Sequence, residues 1–437
     1  MESINGNDAG RSRPATVCFM RKLFISLCAA GLFSGALTAA PLSVAAVDAH
    51  PAADFVRVQG RAFIDHDGRP LRLRGINLGN WLLPEGYMFH FKRAGSPREI
   101  EDVVAELIGD VSAAEFWRDW RENYVTREDI RVIKKMGFNS VRVPLNWRLF
   151  VSEDAPFRME GPGWRLLDRV IEWCREEQLY AIVDLHGAPG GQTGSNIDDS
   201  RGRPLLFDDA AAQQLTVELW RALAMRYRDE RWVLGYDLLN EPIAHYHDKE
   251  RLNPLLGEFY RRLVPAIREV DPHHVILLGG AQWNTQFEPL GAPFAPNLAF
   301  TFHLYWDAPV HASIERYLAL RDKYNVPLWL GESGENSDEW VAKFRALLEE
   351  EDIGWCFWPF KKINATNGVV SIPPPQNWPA IIAYADAPRG REGQEPKLPP
   401  LATSRKALAE LIQAIRIENC TVNRGYVKAL GLTPPGK

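Results

Sequence analysis

The chain has 437 residues, 46% of them hydrophobic and 24% charged, with a formal net charge of −5. That balance excludes a disordered or fibrous chain and, with no basic run beyond a few residues, a nucleic-acid-binding footprint. The expected partner is therefore neutral or small, and the 15 Trp are more than a packed core requires.

In chain order, Arg21 and Lys22 precede an apolar run that ends in the small residues Ser43, Ala45 and Ala46, with Met20 as a natural start. This is the layout of a secretory signal peptide. Residues 1–46 are expected to be removed on export to the periplasm or the extracellular space, leaving a mature chain of 47–437. The run is short and interrupted for a membrane span, so no membrane attachment is expected after cleavage. Cys174, Cys356 and Cys420 then allow one disulfide at most and lack the close spacing of a zinc site.

Residues 55–64 alternate around Gly60 and predict a β-hairpin. Apolar strand runs follow at 71–77, 140–144, 180–185, 235–239, 275–278, 299–303, 328–331 and 354–358. Helical patterns fill the gaps: a capping box of Thr126 and Asp129 with a stop at Gly137, then 164–177, 210–227, 252–270, 314–324, 337–350 and 404–415. The connection after the fifth strand is Pro-rich and only its first part looks helical; eight strands alternating with helix-like sequence predict an α/β fold: one (β/α)8 TIM barrel with an N-terminal β-hairpin and long βα loops. The long segments 85–125, 187–209 and 361–403 all follow strand ends, which places them on the catalytic face.

Two carboxylates, Glu241 in YDLLNEP and Glu332 in LWLGES, directly follow the fourth and seventh predicted strands. A barrel presents both at one mouth. Glycosidic bond hydrolysis needs one carboxyl to protonate the leaving oxygen and another to attack or to activate water. Taken singly, each Glu is more often a helix cap or an ion-pair residue, and it is the joint pattern that points to catalysis. Further polar or ring groups reach the same rim: Arg142, His186, Asn240, His303, Tyr305 and Trp358.

This constellation, from GINLGNW at Gly75 to WPFKK at Lys362, resembles glycoside hydrolase family 5, the cellulase family. The resemblance implies Glu241 as acid/base and Glu332 as nucleophile, with Asn240 on the sugar 2-hydroxyl and His303 and Tyr305 orienting the carboxylates. It implies that Arg142 keeps the nucleophile ionised and that Trp358 stacks on the sugar, with His186 completing the set. No metal and no cofactor is implied. The partner is a β-linked oligo- or polysaccharide and the protein acts as a monomer.

Locally, GINLGNWLLPEG and DLHGAPGGQTG look like the exo-β-1,3-glucanase branch. Glu85 then stands where that branch holds the terminal sugar, with Asn80 and Trp81 expected beside it. The branch's Asp ten residues after the His is Asn196 here, so either Asp198 takes over or the clamp is altered. Trp283, Trp306 and Trp378 are candidates for outer subsites, whereas Trp117, Trp120, Trp164, Trp173 and Trp220 lie on helical segments and are expected to pack. The alternatives are an endo-β-1,4-glucanase or β-mannanase of the same family and a non-catalytic carbohydrate-binding barrel. A metal-dependent hydrolase using His186 and His303 is disfavoured for want of further ligands.

Overall fold

A computed structural model describes residues 54–152, 155, 157–389 and 396–436. The expected leader lies outside the described residues. The hairpin of β1 (Arg57–Gln59) and β2 (Ala62–Ile64) gains a third antiparallel strand, β3 (Pro70–Leu71). Eight parallel strands follow: β4 (Arg74–Asn77), β5 (Ser140–Asn146), β6 (Tyr180–Gly187), β7 (Val233–Asp237), β8 (Val275–Gly279), β9 (Leu298–His303), β10 (Leu328–Glu332) and β11 (Gly354–Phe357). They pair in sequence order, and β11 closes onto β4 to complete the barrel.

The helices are α1 (Pro97–Ile108), α2 (Asp110–Asn123), α3 (Arg127–Met136), α4 (Pro162–Glu176), α5 (Ala210–Tyr227), α6 (Lys249–Arg268), the single turn α7 (Ala281–Asn284), α8 (His311–Tyr324), α9 (Asp338–Glu350), α10 (Trp378–Ala385), α11 (Leu401–Ala414) and α12 (Arg424–Ala429). Thr126 caps α3 as expected: Asp129 Oδ2 accepts from its backbone N–H at 2.8 Å and from its hydroxyl at 2.7 Å. Gly137 ends α3 with a φ of 102°, a left-handed conformation that glycine adopts without a Cβ clash.

Two expectations are corrected. The strand expected at 71–77 is split: Leu71 pairs with Phe63 in the small sheet, and the barrel strand begins at Arg74. Of the three expected long loops, only 187–209 is loop throughout, apart from single 3₁₀ turns. The segment 85–125 folds mostly into α1 and α2. The segment 361–403 contributes β12 (Lys361–Ile363), β13 (Val370–Ile372) and α10, with β13 pairing to β14 (Thr421–Val422). These elements bury apolar residues in the main core, among them Val104, Trp120, Ile363, Val370 and Ile381, which unsupported loop could not do.

Strand alternation explains where the polar groups sit. On β6, Ala181, Val183 and Leu185 face the helix layer, while Tyr180 and Ile182 join a second core with Val56, Phe63, Leu73, Leu277 and Trp329 that plugs the barrel floor. At a period of two, the same inward face continues to Asp184 and His186. The barrel interior is thus apolar at its floor and ionisable at its mouth. Cys174, Cys356 and Cys420 are all free thiols. Among the described residues, no helix is long and apolar enough to cross a membrane.

Candidate active site

The mouth holds a cavity of about 760 Å³ lined by Glu85, His186, Glu241, His303, Tyr305, Glu332 and Trp358 among others. Seven of the expected site residues therefore converge on one space. Arg142 and Asn240, both fully buried, lie beneath it.

Arg142 is the hub. Its guanidinium pairs with Asp184 at 3.0 Å and Asp237 at 2.9 Å, contacts Glu332 through Nη1, and donates to Asn240 Oδ1 at 2.9 Å and Asn77 Oδ1 at 3.1 Å. One cation thus serves three buried acids. Burial pushes both Asp184 and Asp237 up to about 7, against the opposing pull of Arg142. Sequence reading missed both acids. Their signal was an acid inside an apolar strand run, since a charge buried there requires a partner.

Glu332 accepts from the guanidinium on one oxygen and from the Tyr305 hydroxyl at 2.9 Å on the other. It closes β10 after a register shift opposite His303, which turns its side chain to the mouth. Glu241 lies beyond β7 with a φ of 46°, an uncommon left-handed conformation for a residue with a Cβ. The loop after β6 holds it there. Gln192 Nε2 donates to the Asn240 carbonyl at 2.8 Å, and Thr193 Oγ1 donates to the Glu241 carbonyl at 2.8 Å. Burial raises the Glu241 carboxyl to about 7, with His186 and Arg142 pulling the other way. Ligand-capable atoms of Glu241, His303 and Glu332 all lie within 4.8 Å of one another, so the two carboxylates face across a gap of at most that width. A cation bound there would lie against the Arg142 guanidinium that already neutralises Glu332 and would break the 2.9 Å contact between His303 Nδ1 and Glu241 Oε1. The donor set does not fit a resident metal.

Both histidines are neutral near pH 7, because burial lowers His186 to about 4 and His303 to about 3. His186 contacts Asp184 at 2.7 Å through Nδ1, and its ring stacks on Trp358 at 5.5 Å. Trp358 in turn donates to the Tyr87 hydroxyl at 2.7 Å. Tyr87, Glu335 and Lys362 form a further wall that sequence reading missed, with Lys362 Nζ 2.5 Å from Glu335 and 4.6 Å from the Tyr87 ring centre. Burial raises the Glu85 carboxyl well above its usual range, with Glu332, Glu335 and Glu241 adding repulsion.

Several expected residues do not line the cavity. Trp81 is buried in the helix-facing core, and its indole N–H donates to the Arg121 carbonyl at 2.8 Å. Asn80 is buried beside it, accepting from the Glu85 N–H at 2.9 Å. Trp378 is also core, bonded to the Phe89 carbonyl at 3.1 Å. Asn196 is exposed and packs beside Gly95, while its neighbour Ile197 is the residue on the cavity wall. Asp198 is buried and turned away, accepting the backbone N–H groups of Thr193 at 2.5 Å, Gly194 at 3.0 Å and Ser200 at 2.9 Å. It shapes the loop that holds Glu241. Trp283 and Trp306 do line the cavity, Trp306 with 77% of its surface exposed.

A closed eight-stranded parallel barrel with two facing glutamates at the ends of β7 and β10 defines a glycosidase-type site. Residues 103–363 match the cellulase (glycosyl hydrolase family 5) profile, and the chain belongs to that family of O-glycosyl hydrolases. It is 31% identical to a β-xylosidase of Phanerodontia chrysosporium over 61% of this chain and 55% of that protein. It is 30% identical to a probable glucan 1,3-β-glucosidase A of Aspergillus fumigatus over 57% of this chain and 59% of that protein. The chain thus spans little more than half the length of either relative. A solved endogalactoceramidase shares the fold, with a TM-score of 0.56 at 18% identity over 87% of this chain and 86% of that one.

Proposed function

We propose that the protein is a secreted, retaining β-glycosidase that hydrolyses β-1,3- or mixed-linkage glucan or its oligosaccharides. The observation that carries this reading is the gap of no more than 4.8 Å between oxygens of Glu241 and Glu332. Retaining enzymes place their carboxyl groups about 5–5.5 Å apart, whereas inversion needs roughly 6.5–9.5 Å to admit a water.

The roles follow from the surroundings. Glu241, with its carboxyl raised to about 7, keeps a proton to give. Glu332, held by a guanidinium and a phenol, is oriented as the nucleophile. In the first step a Glu332 oxygen bonds to the anomeric carbon, the bond to the leaving oxygen breaks, and the Glu241 proton passes to that oxygen. In the second, ionised Glu241 takes a proton from water, the water oxygen bonds to the anomeric carbon, and Glu332 leaves as carboxylate. Two displacements retain the configuration. Asn240 lies between Arg142 and His186 with its amide fixed beneath the cavity, and its assignment to the sugar 2-hydroxyl rests on the family resemblance. The glucan preference rests on the motifs after β4 and β6 and on the similarity to the Aspergillus protein.

The test is hydrolysis of laminarin, lichenan, carboxymethyl-cellulose, mannan and aryl β-glucosides by Glu332→Gly and Glu241→Ala variants. Both are expected to lose most activity on every substrate the wild type cleaves. Wild-type rates in both would overturn the mechanism, and cleavage of mannan alone would overturn the glucan assignment. Export is tested by N-terminal sequencing of the secreted form, expected to begin near Val47.

A further inference from the structure

The turn after β8 adopts an unusual conformation. Gln282, Trp283 and Asn284 have φ values of 54°, 64° and 58°, three consecutive left-handed residues and none of them glycine. Each such residue carries a steric cost, and a run of three persists only where the surroundings impose it. Here the turn is clamped by paired backbone bonds, Ala281 N–H to the Gln286 carbonyl at 2.8 Å and Gln286 N–H to the Ala281 carbonyl at 2.9 Å. Thr285 Oγ1 adds a bond to the Gln282 carbonyl at 2.6 Å.

The consequence is the placement of Asn284. Its side chain is fully buried, and its amide Nδ2 lies 3.1 Å from Nε2 of His303. Its Oδ1 has no hydrogen-bond partner and lies where a Cβ on Gly279 would come within 2.3 Å, so the strand end is cut away to admit it. His303 reaches Glu241 Oε1 at 2.9 Å through its other nitrogen. A neutral imidazole carries one N–H, and the partner of one nitrogen decides where it sits. An amide N–H donated to Nε2 makes Nε2 the acceptor and puts the ring proton on Nδ1, from which it is donated to Glu241 Oε1. Oε1 then cannot hold the carboxyl proton in this contact, which leaves it on Oε2.

We propose that Asn284 is a positioning residue for the acid/base: through His303 it fixes the Glu241 oxygen that delivers the proton. The proposal rests on Glu241 being the acid, and its test separates the two. Glu241 is faced by His303 from β9, Glu332 from β10, His186 from β6 and Arg142 from β5, with Glu85 and Tyr305 at the cavity wall, so the readout must isolate proton delivery from general electrostatics. Leaving-group dependence does so, because a dinitrophenyl β-glucoside departs without a proton and a phenyl β-glucoside does not.

In Asn284→Gly the left-handed backbone is kept, since glycine adopts it freely, and only the amide is lost. The expected result is a fall of roughly tenfold or more in kcat/KM on phenyl β-glucoside with less than about threefold on the dinitrophenyl substrate. Asn284→Asp, whose carboxylate accepts from Nε2 and favours a charged ring beside Glu241, is expected to move the alkaline limb of the kcat/KM profile to lower pH. Equal losses on both substrates in Asn284→Gly, or an unmoved limb in a folded Asn284→Asp, would overturn the proposal. A failure of the Glu241 reading would instead appear as unimpaired Glu241→Ala, whatever Asn284 does.

Discussion

Replacing Arg142 by Met tests how the site keeps three acids in a buried space. The guanidinium is fully buried and touches Asp184, Asp237 and Glu332, so its removal strands carboxylates that contact no other Lys or Arg among the described residues. Breaking a buried pair by removing one partner costs about 3–5 kcal/mol. The cost depends on charge, and the sign follows from the folded pKa values. Asp184 and Asp237 sit at about 7, so below that they hold their protons in the folded wild type and draw little from Arg142. Above it the wild type ionises them beside the guanidinium, while the variant must keep them protonated at growing expense. The deficit in urea unfolding is therefore expected to be about 3–5 kcal/mol near pH 8 and to be smaller near pH 5.5, where Asp184 and Asp237 hold their protons and the loss comes from the Glu332 pair and the hydrogen bonds of the guanidinium. In parallel, kcat/KM is expected to fall on the order of 100-fold, as when a preorganised donor is removed. A deficit that stayed constant with pH, or grew in acid, would refute the reasoning.

The alkaline limb of kcat/KM is expected near pH 7, because Glu241 must be protonated to act and its carboxyl is raised to about that value. The same shift lies above the unfolded value, so the stability it contributes in acid is lost as pH rises towards 7, measurable as a falling Tm. Gly79→Ala places a Cβ 2.4–2.7 Å from the Trp358 ring, which is rigid and already stacked on His186; at least a tenfold loss of kcat/KM is expected, read on an aryl glucoside. Trp306→Ala removes a ring 77% exposed, so unfolding is expected to move by no more than about 0.5 kcal/mol while KM for laminari-oligosaccharides rises several-fold.

The barrel was legible because parallel strands buried on both faces read as short apolar runs, and each run was followed by a helical period. The catalytic pair was legible for a related reason: Glu241 and Glu332 directly follow such runs, and strand ends share one mouth. Local pattern failed wherever the decision was rotational. Trp81 and Trp378 carry the same ring as Trp358, but their elements turn them into the helix-facing core, where indole N–H groups find the Arg121 and Phe89 carbonyls. Asp198 and Ile197 are neighbours, and the loop's hydrogen bonds, not its composition, send the acid to the backbone and the aliphatic chain to the cavity. Asp184, Asp237 and Asn284 lie on other strands or turns than the groups they serve and meet them only when the strands of the barrel pair side by side. By itself the sequence determined the fold class and the chemistry of the strand ends, because those depend on periodicity and residue type. Tertiary structure alone decided which side chains face the cavity and which carboxyl keeps its proton, because burial and the single shared cation Arg142 exist only in the folded barrel.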